Sequence, residues 1–120
     1  MKVKEIMNSP VTACSITSDI WDVKSLMETK GYSAIPVVHM KGDKIEIKGI
    51  VSYKDLAVMD DSINIQQAMS HTVETVTPDT NLKEAAQLMV RKKLHHLVVT
   101  ENGEIKGMLS SMEFVKLYAE

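Results

Sequence analysis

Ser52 and Asp55 stand three residues apart, where an apolar run, Gly49-Ile50-Val51, gives way to Tyr53-Lys54-Asp55-Leu56, which reads as a first helical turn. The arrangement returns near the C-terminus as Gly107-Met108-Leu109-Ser110-Ser111-Met112-Glu113. Two kinds of chemistry fit this corner. In the first, Ser-x-x-Asp and Ser-x-x-Glu are capping boxes. The Ser oxygen accepts from a backbone N–H one turn in, and the carboxylate reaches back. In the second, the corner is a ligand site. A helix start after a strand offers free N–H groups and the positive end of the dipole to a phosphate, and Ser52 adds a hydroxyl. A carboxylate one turn on can accept from both hydroxyls of a vicinal diol. Ribose carries such a diol a few bonds from its 5′-phosphate, so Ser52 and Asp55 could grip a nucleoside phosphate from both ends. The base would then lie against nearby strand backbone.

The other reactive side chains form no such set. The four histidines are His39, His71, His95 and His96. Neighbours on a strand face opposite ways, so His95 and His96 do not readily share a metal, and no Cys or carboxylate spacing completes a zinc site. The expectation is no metal. Either of that pair could instead meet a phosphate or a base. Cys14 is the only cysteine, which rules out an intrachain disulfide and fits a reducing compartment. Its neighbours Ala13, Ser15 and Ile16 supply no base, so it reads as a small core residue and not a nucleophile. No catalytic residues are assigned and no enzyme is expected. Arg91-Lys92-Lys93 reads as a solvated helix face or a contributor to phosphate preference, and Trp21 as packing or a partner contact.

Composition narrows the class further. The chain has 120 residues, 44% apolar and 25% charged, with 14 Lys and Arg against 16 Asp and Glu. This is an ordinary balance for a soluble globular domain. The net charge of −2 and a single arginine, Arg91, argue against a nucleic-acid partner. The start, Met1-Lys2-Val3-Lys4-Glu5-Ile6, has no apolar core of a signal peptide, and the longest apolar run, Ala34–Val38, is too short to cross a bilayer. No membrane association and a cytoplasmic location are expected. Nine methionines against one phenylalanine suggest an adaptable core.

The elements that must position the corners come in two copies about 60 residues apart, 1–60 and 61–120. Ile6-Met7-Asn8 aligns with Ala68-Met69-Ser70, Leu26-Met27 with Leu88-Met89, and Ile35-Pro36-Val37 with Leu97-Val98-Val99. The offset shortens once, where His39–Lys48 faces the briefer Glu101–Lys106, as a hairpin tip allows. Each copy reads as short helix, strand, helix, strand, hairpin, strand, helix. In copy one these are a helical lead-in over Val3–Asn8 and a strand over Val11–Ser15. A helix capped by Ser18 follows, with Ile20, Val23, Leu26 and Met27 as its stripe and a stop at Gly31. Strands over Ala34–His39 and Ile45–Val51 and a closing helix over Tyr53–Met59 complete the copy. Asp60–Asn64 is the linker. In copy two Thr80 is the expected cap. Leu82, Ala85, Ala86, Leu88 and Met89 are the stripe, Asn102-Gly103 is the turn, and Met112–Ala119 closes. A copy this small buries little apolar surface alone, so a shared core and pairing with a second chain are expected.

With these motifs in order, the whole chain resembles the tandem cystathionine-β-synthase (CBS) domain pair, or Bateman module. The resemblance rests on Met7–Thr12, on Lys30-Gly31-Tyr32-Ser33-Ala34-Ile35-Pro36-Val37-Val38, on Gly49–Asp55, and on Thr77-Pro78-Asp79-Thr80-Asn81-Leu82-Lys83-Glu84-Ala85. It implies an α+β fold, β-α-β-β-α per copy, packed as a pseudo-twofold pair with two clefts, and a homodimer of pairs. It also implies an adenosine derivative as regulatory ligand: AMP, ADP, ATP or S-adenosylmethionine, with no required cofactor. Carried across, Asp55 would hold the ribose diol and Ser52 the phosphate. Thr12, Ala13, Ser33, Ala34, Ile35 and Pro36 would line the adenine slot. The second cleft would use Thr75, Val76, His95, His96, Leu97, Ser110 and Glu113. Copy two departs from the pattern, with Glu113 in place of Asp and Val98 in place of proline. The longer Glu could overshoot a diol and leave Ser110 and Glu113 as a cap only. The reading is a regulatory ligand sensor whose geometry signals to an effector protein. Its alternative is a ligand-free oligomerisation scaffold with two capped corners.

Overall fold

Apolar stripes at helical spacing become the two long helices of the computed structural model, which describes all residues from Met1 to Glu120. Helix α1 (Ile20–Lys30) buries Ile20, Val23 and Met27, and α4 (Leu82–Lys92) buries Leu82, Ala85 and Met89. Leu26 and Leu88 pack half-buried against the same cores. Helix α1 stops at Gly31, where φ is 73° and a Cβ would be strained.

The caps correct the expectation by one residue in each copy. Asp19, not Ser18, caps α1 by accepting from the Trp21 N–H, and Asn81, not Thr80, caps α4 by accepting from the Lys83 N–H. Ser18 and Thr80 have the same other task. Ser18 Oγ accepts from the Ser15 N–H and Thr80 Oγ1 from the Thr77 N–H, closing the turn between strand and helix. A hydroxyl turned back to the preceding loop is not available one turn ahead.

Two three-stranded mixed sheets carry the helices, so the fold is α+β. In one, β1 (Cys14–Ser15) runs parallel to β2 (Ala34–Lys41), which pairs antiparallel with β3 (Lys44–Ser52). In the other, β4 (Thr75–Val76), β5 (His96–Glu101) and β6 (Glu104–Ser110) repeat the pattern. The second hairpin turns at Asn102 and Gly103, both with positive φ, as a two-residue turn of matching twist requires. Helices α2 (Tyr53–Ala57) and α5 (Ser111–Ala119) follow the hairpins, and the short α3 (Ile65–Ala68) starts at the Asn64 cap.

Several elements are shorter than the sequence suggests. The lead-in is one 3₁₀ turn, Val3–Glu5, because Asn8 leaves it to exchange both backbone hydrogen bonds with Met108. The strand expected over Val11–Ser15 pairs only at Cys14 and Ser15, and the helix expected over Tyr53–Met59 ends at Ala57.

Two compact units result, Thr12–Val73 and Met1–Val11 with Glu74–Glu120. The sequence copies and the compact units thus divide the chain differently. Each unit has its own core, and each core draws on both copies. Ile65, Ala68 and Met69 join Ile20, Met27, Ile35 and Val51 in one. Val3, Ile6 and Met7 join Leu82, Met89, Leu97 and Leu109 in the other. The core sharing expected from copy size takes the form of exchanged lead-ins. Gly49 and Gly107 make room for them, since a Cβ at either would clash with the incoming backbone.

Candidate functional site

In the first unit, β3 delivers Ser52 opposite Ala34 on β2. The Tyr53 N–H donates to the Ser33 carbonyl over 2.9 Å and turns the chain into α2 beside the start of β2. Ser52 Oγ accepts from the Asp55 N–H at 3.2 Å, so Ser52 is a cap. The box is only half formed. Asp55 is exposed, and its carboxylate neither reaches back to Ser52 nor joins an ion pair. The Ser52 hydroxyl proton remains free to donate to an incoming oxygen. With five residues, α2 supplies little dipole, so the corner's polar chemistry lies in the Ser52 hydroxyl and the Asp55 carboxylate. Tyr53 Oη donates to Glu28 Oε1 over 2.6 Å and anchors the first turn of α2 to α1, and this bond holds the phenol above its usual pKa.

The other expected residues of this corner are placed unequally. Ser33 is exposed and its carbonyl is bound to the corner itself. Thr12 stands with its hydroxyl 3.4 Å from Tyr32 Oη, and Ala13 is half-buried just before β1. Ala34, Ile35 and Pro36 are buried, Ile35 in the core cluster. All three lie in the central strand of the sheet, paired with Ser52, Val51 and Ile50 of β3.

The second corner has the same backbone and different side-chain bonding. Ser110 lies opposite His96, and the Ser111 N–H donates to the His95 carbonyl at 2.9 Å. Ser110 makes no cap bond. Its hydroxyl instead donates to Glu113 Oε1 at 3.4 Å, and Asn8 Nδ2 donates to the same oxygen at 2.7 Å. The Glu113 side chain is 13% exposed, with Lys116 Nζ at 4.0 Å from its second oxygen. The cap expected at Ser110 is thus replaced by a side-chain cluster held on the lead-in. Sequence reasoning did not single out Asn8. The available signal was its alignment with Ser70, a shorter side chain at the matching place.

Thr75 is exposed at the edge of the second sheet, while Val76 and Leu97 pack in the core. His95 is exposed and His96 half-buried. Burial, and secondarily the nearby His95, pushes the His96 pKa below the usual histidine value. No group of three or more His, Cys, Asp or Glu stands together to hold a metal ion. Cys14 is buried, and burial pushes its thiol up to about 11, leaving it protonated at neutral pH. Trp21 is exposed on α1. Lys92 pairs with Glu74 at 3.7 Å, and Arg91 is solvated. No helix is long and apolar enough to cross a membrane.

Duplicated three-stranded sheets, each followed by a helix that starts at a Ser, define a class that comparison with known proteins confirms. The CBS domain family matches residues 3–59 and 64–120, so the chain belongs to the CBS domain family as a tandem pair. It is 28% identical to protein MJ1225 of Methanocaldococcus jannaschii, over 96% of this chain and 42% of that protein. It is 26% identical to protein YlbB of Bacillus subtilis, over 91% of this chain and 76% of that one. The chain thus spans less than half of the first relative and about three quarters of the second. The fold matches the CBS domain pair of protein MJ0100, solved in complex with 5′-methylthioadenosine and S-adenosyl-L-methionine. The TM-score is 0.85 at 19% identity, over 99% of this chain and 96% of that one. It also matches CBSX2 in complex with AMP, with a TM-score of 0.76 at 21% identity over 98% and 96%.

Proposed function

We propose that this CBS pair is a regulatory module that binds an adenosine derivative at the Ser52–Asp55 corner, with Asp55 accepting from the ribose diol. One observation carries the reading. The Asp55 carboxylate is exposed and without a partner, one turn from a serine whose hydroxyl proton is free. An acceptor pair so presented suits a vicinal diol. The ligands of MJ0100 and CBSX2 differ at the 5′ position and share adenosine. That common part is the one Asp55 would hold. Ser52 would meet the 5′ substituent, and the segment Ser33–Pro36, with Thr12 and Ala13, would face the base. Regulation through such a site requires that the ligand bind two states of the chain with different affinity. An effector protein would read that difference. The proposal includes pairing with a second chain, supported by Met112, Val115 and Tyr118 standing exposed on α5.

Titration calorimetry with wild type and Asp55→Ala against AMP, ADP, ATP, S-adenosylmethionine, GMP and GTP tests the reading. Adenine-selective binding that falls at least tenfold in Asp55→Ala is the expected result. Absence of binding to all six by folded wild type overturns it in favour of a scaffold, the reading that the Ser52 cap bond favours.

A further inference from the structure

The two corners share backbone geometry and differ in what occupies their carboxylates. In the second unit the lead-in is pinned beside β6. The Asn8 N–H donates to the Met108 carbonyl at 2.8 Å, and the Met108 N–H donates back at 3.0 Å. Gly107 permits the approach, since a Cβ on it would stand 2.8 Å from the Asn8 carbonyl oxygen. The first unit repeats this with Ser70 and Ile50, paired at 3.0 and 2.8 Å beside Gly49. The backbone at position 8 is therefore as fixed as that at position 70, and only the side chains differ. Asn8 projects an amide donor far enough to reach Glu113, whose extra methylene also shortens the gap. Ser70 projects a hydroxyl that accepts from the Thr72 N–H at 3.4 Å and makes no bond to Asp55.

We infer that Asn8 is a specificity-determining residue that holds the second corner closed, so that the chain takes up its ligand at Asp55 and not at Glu113. This rests on the proposed diol reading of the first corner. A diol arriving at Glu113 must displace a short, charge-assisted bond from Asn8 and the contact from Ser110, which is itself buried. At Asp55 it displaces no side-chain partner, since that carboxylate is exposed and unbonded. Both bonds to Glu113 fall on one oxygen, Oε1, so a bidentate hold on two hydroxyls is lost even while Oε2 stays open toward Lys116.

Stoichiometry by calorimetry with AMP and S-adenosylmethionine tests the inference, with folding of each variant checked by circular dichroism. Wild type is expected to bind one equivalent per chain, lost in Asp55→Ala and kept in Glu113→Ala. Asn8→Ser combined with Glu113→Asp, which copies the first corner, is expected to bind a second equivalent. In reverse, Ser70→Asn added to Asp55→Glu should bind at least tenfold more weakly than Asp55→Glu alone. Two equivalents in wild type, one of them lost in Glu113→Ala, overturns the inference and leaves the Asp55 reading intact. So does a single equivalent in the Asn8→Ser/Glu113→Asp chain. Absence of binding by every variant overturns both. Without ligand, a double-mutant cycle of Asn8→Ala and Glu113→Ala should show coupling in thermal unfolding, and additivity of the two changes would sink the closing role.

Discussion

A Cβ placed on Gly49 would stand 2.5 Å from the Ser70 carbonyl oxygen, and one on Gly107 would stand 2.8 Å from that of Asn8. These two near-contacts are where each lead-in docks on a strand of the other sequence copy. Because the obstacle is backbone, no rotamer change relieves it. Gly49→Ala and Gly107→Ala should each destabilise the chain by about 1–3 kcal/mol, by overpacking and loss of the paired bridge. Urea unfolding midpoints measure this. Unchanged midpoints would mean that the lead-ins do not dock as described.

The caps separate residues that the sequence makes look alike. Asp19→Ala and Asn81→Ala should each cost about 1 kcal/mol through loss of a helix-start bond. Ser18→Ala and Thr80→Ala remove loop bonds instead and should leave the N-terminal amides of α1 and α4 protected. Hydrogen exchange at Trp21 and Lys83, the two capped amides, discriminates. Faster exchange there in Ser18→Ala or Thr80→Ala would return the caps to those residues.

His96 makes stability depend on pH in a stated direction. Burial lowers its folded pKa, so the unfolded chain binds the proton more readily. The contribution is present above the unfolded value of about 6.5 and is lost as pH falls through the folded one. His96→Gln should flatten the loss of thermal stability as pH falls below about 6.5, relative to wild type. An identical slope in both chains would contradict it.

Cys14 should react slowly with iodoacetamide at pH 8 in the native chain and at least tenfold faster after unfolding, since burial holds the thiol protonated up to about 11. Its folded pKa is raised, so its contribution to stability is complete below the unfolded pKa and fades as pH rises toward the folded one. Cys14→Ala should remove that part of the alkaline slope. Equal native and unfolded labelling rates would show an open first strand.

Much of the fold is legible in residue order because its causes are local. The stripes Ile20–Met27 and Leu82–Met89, the stop at Gly31 and the turn at Asn102-Gly103 follow from helical spacing and from backbone angles that few residues adopt. The duplication, visible in the aligned Met7-Asn8 and Met69-Ser70, also exposes the corners, since Ser52 and Ser110 end equivalent strands. What residue order left open was the partner of each copied piece. Ser18 and Asp19 are both good caps, and the choice between them turned on whether the Ser15 N–H needed an acceptor. By sequence the lead-ins read as parts of their own copies. The contacts at Gly49 and Gly107, far away in the chain, assign them to the other. The difference between Asp55, free, and Glu113, held by a residue more than a hundred positions earlier, was decided by the tertiary structure alone. A hydrogen bond depends on where side chains end in space, and spacing along the chain does not record that.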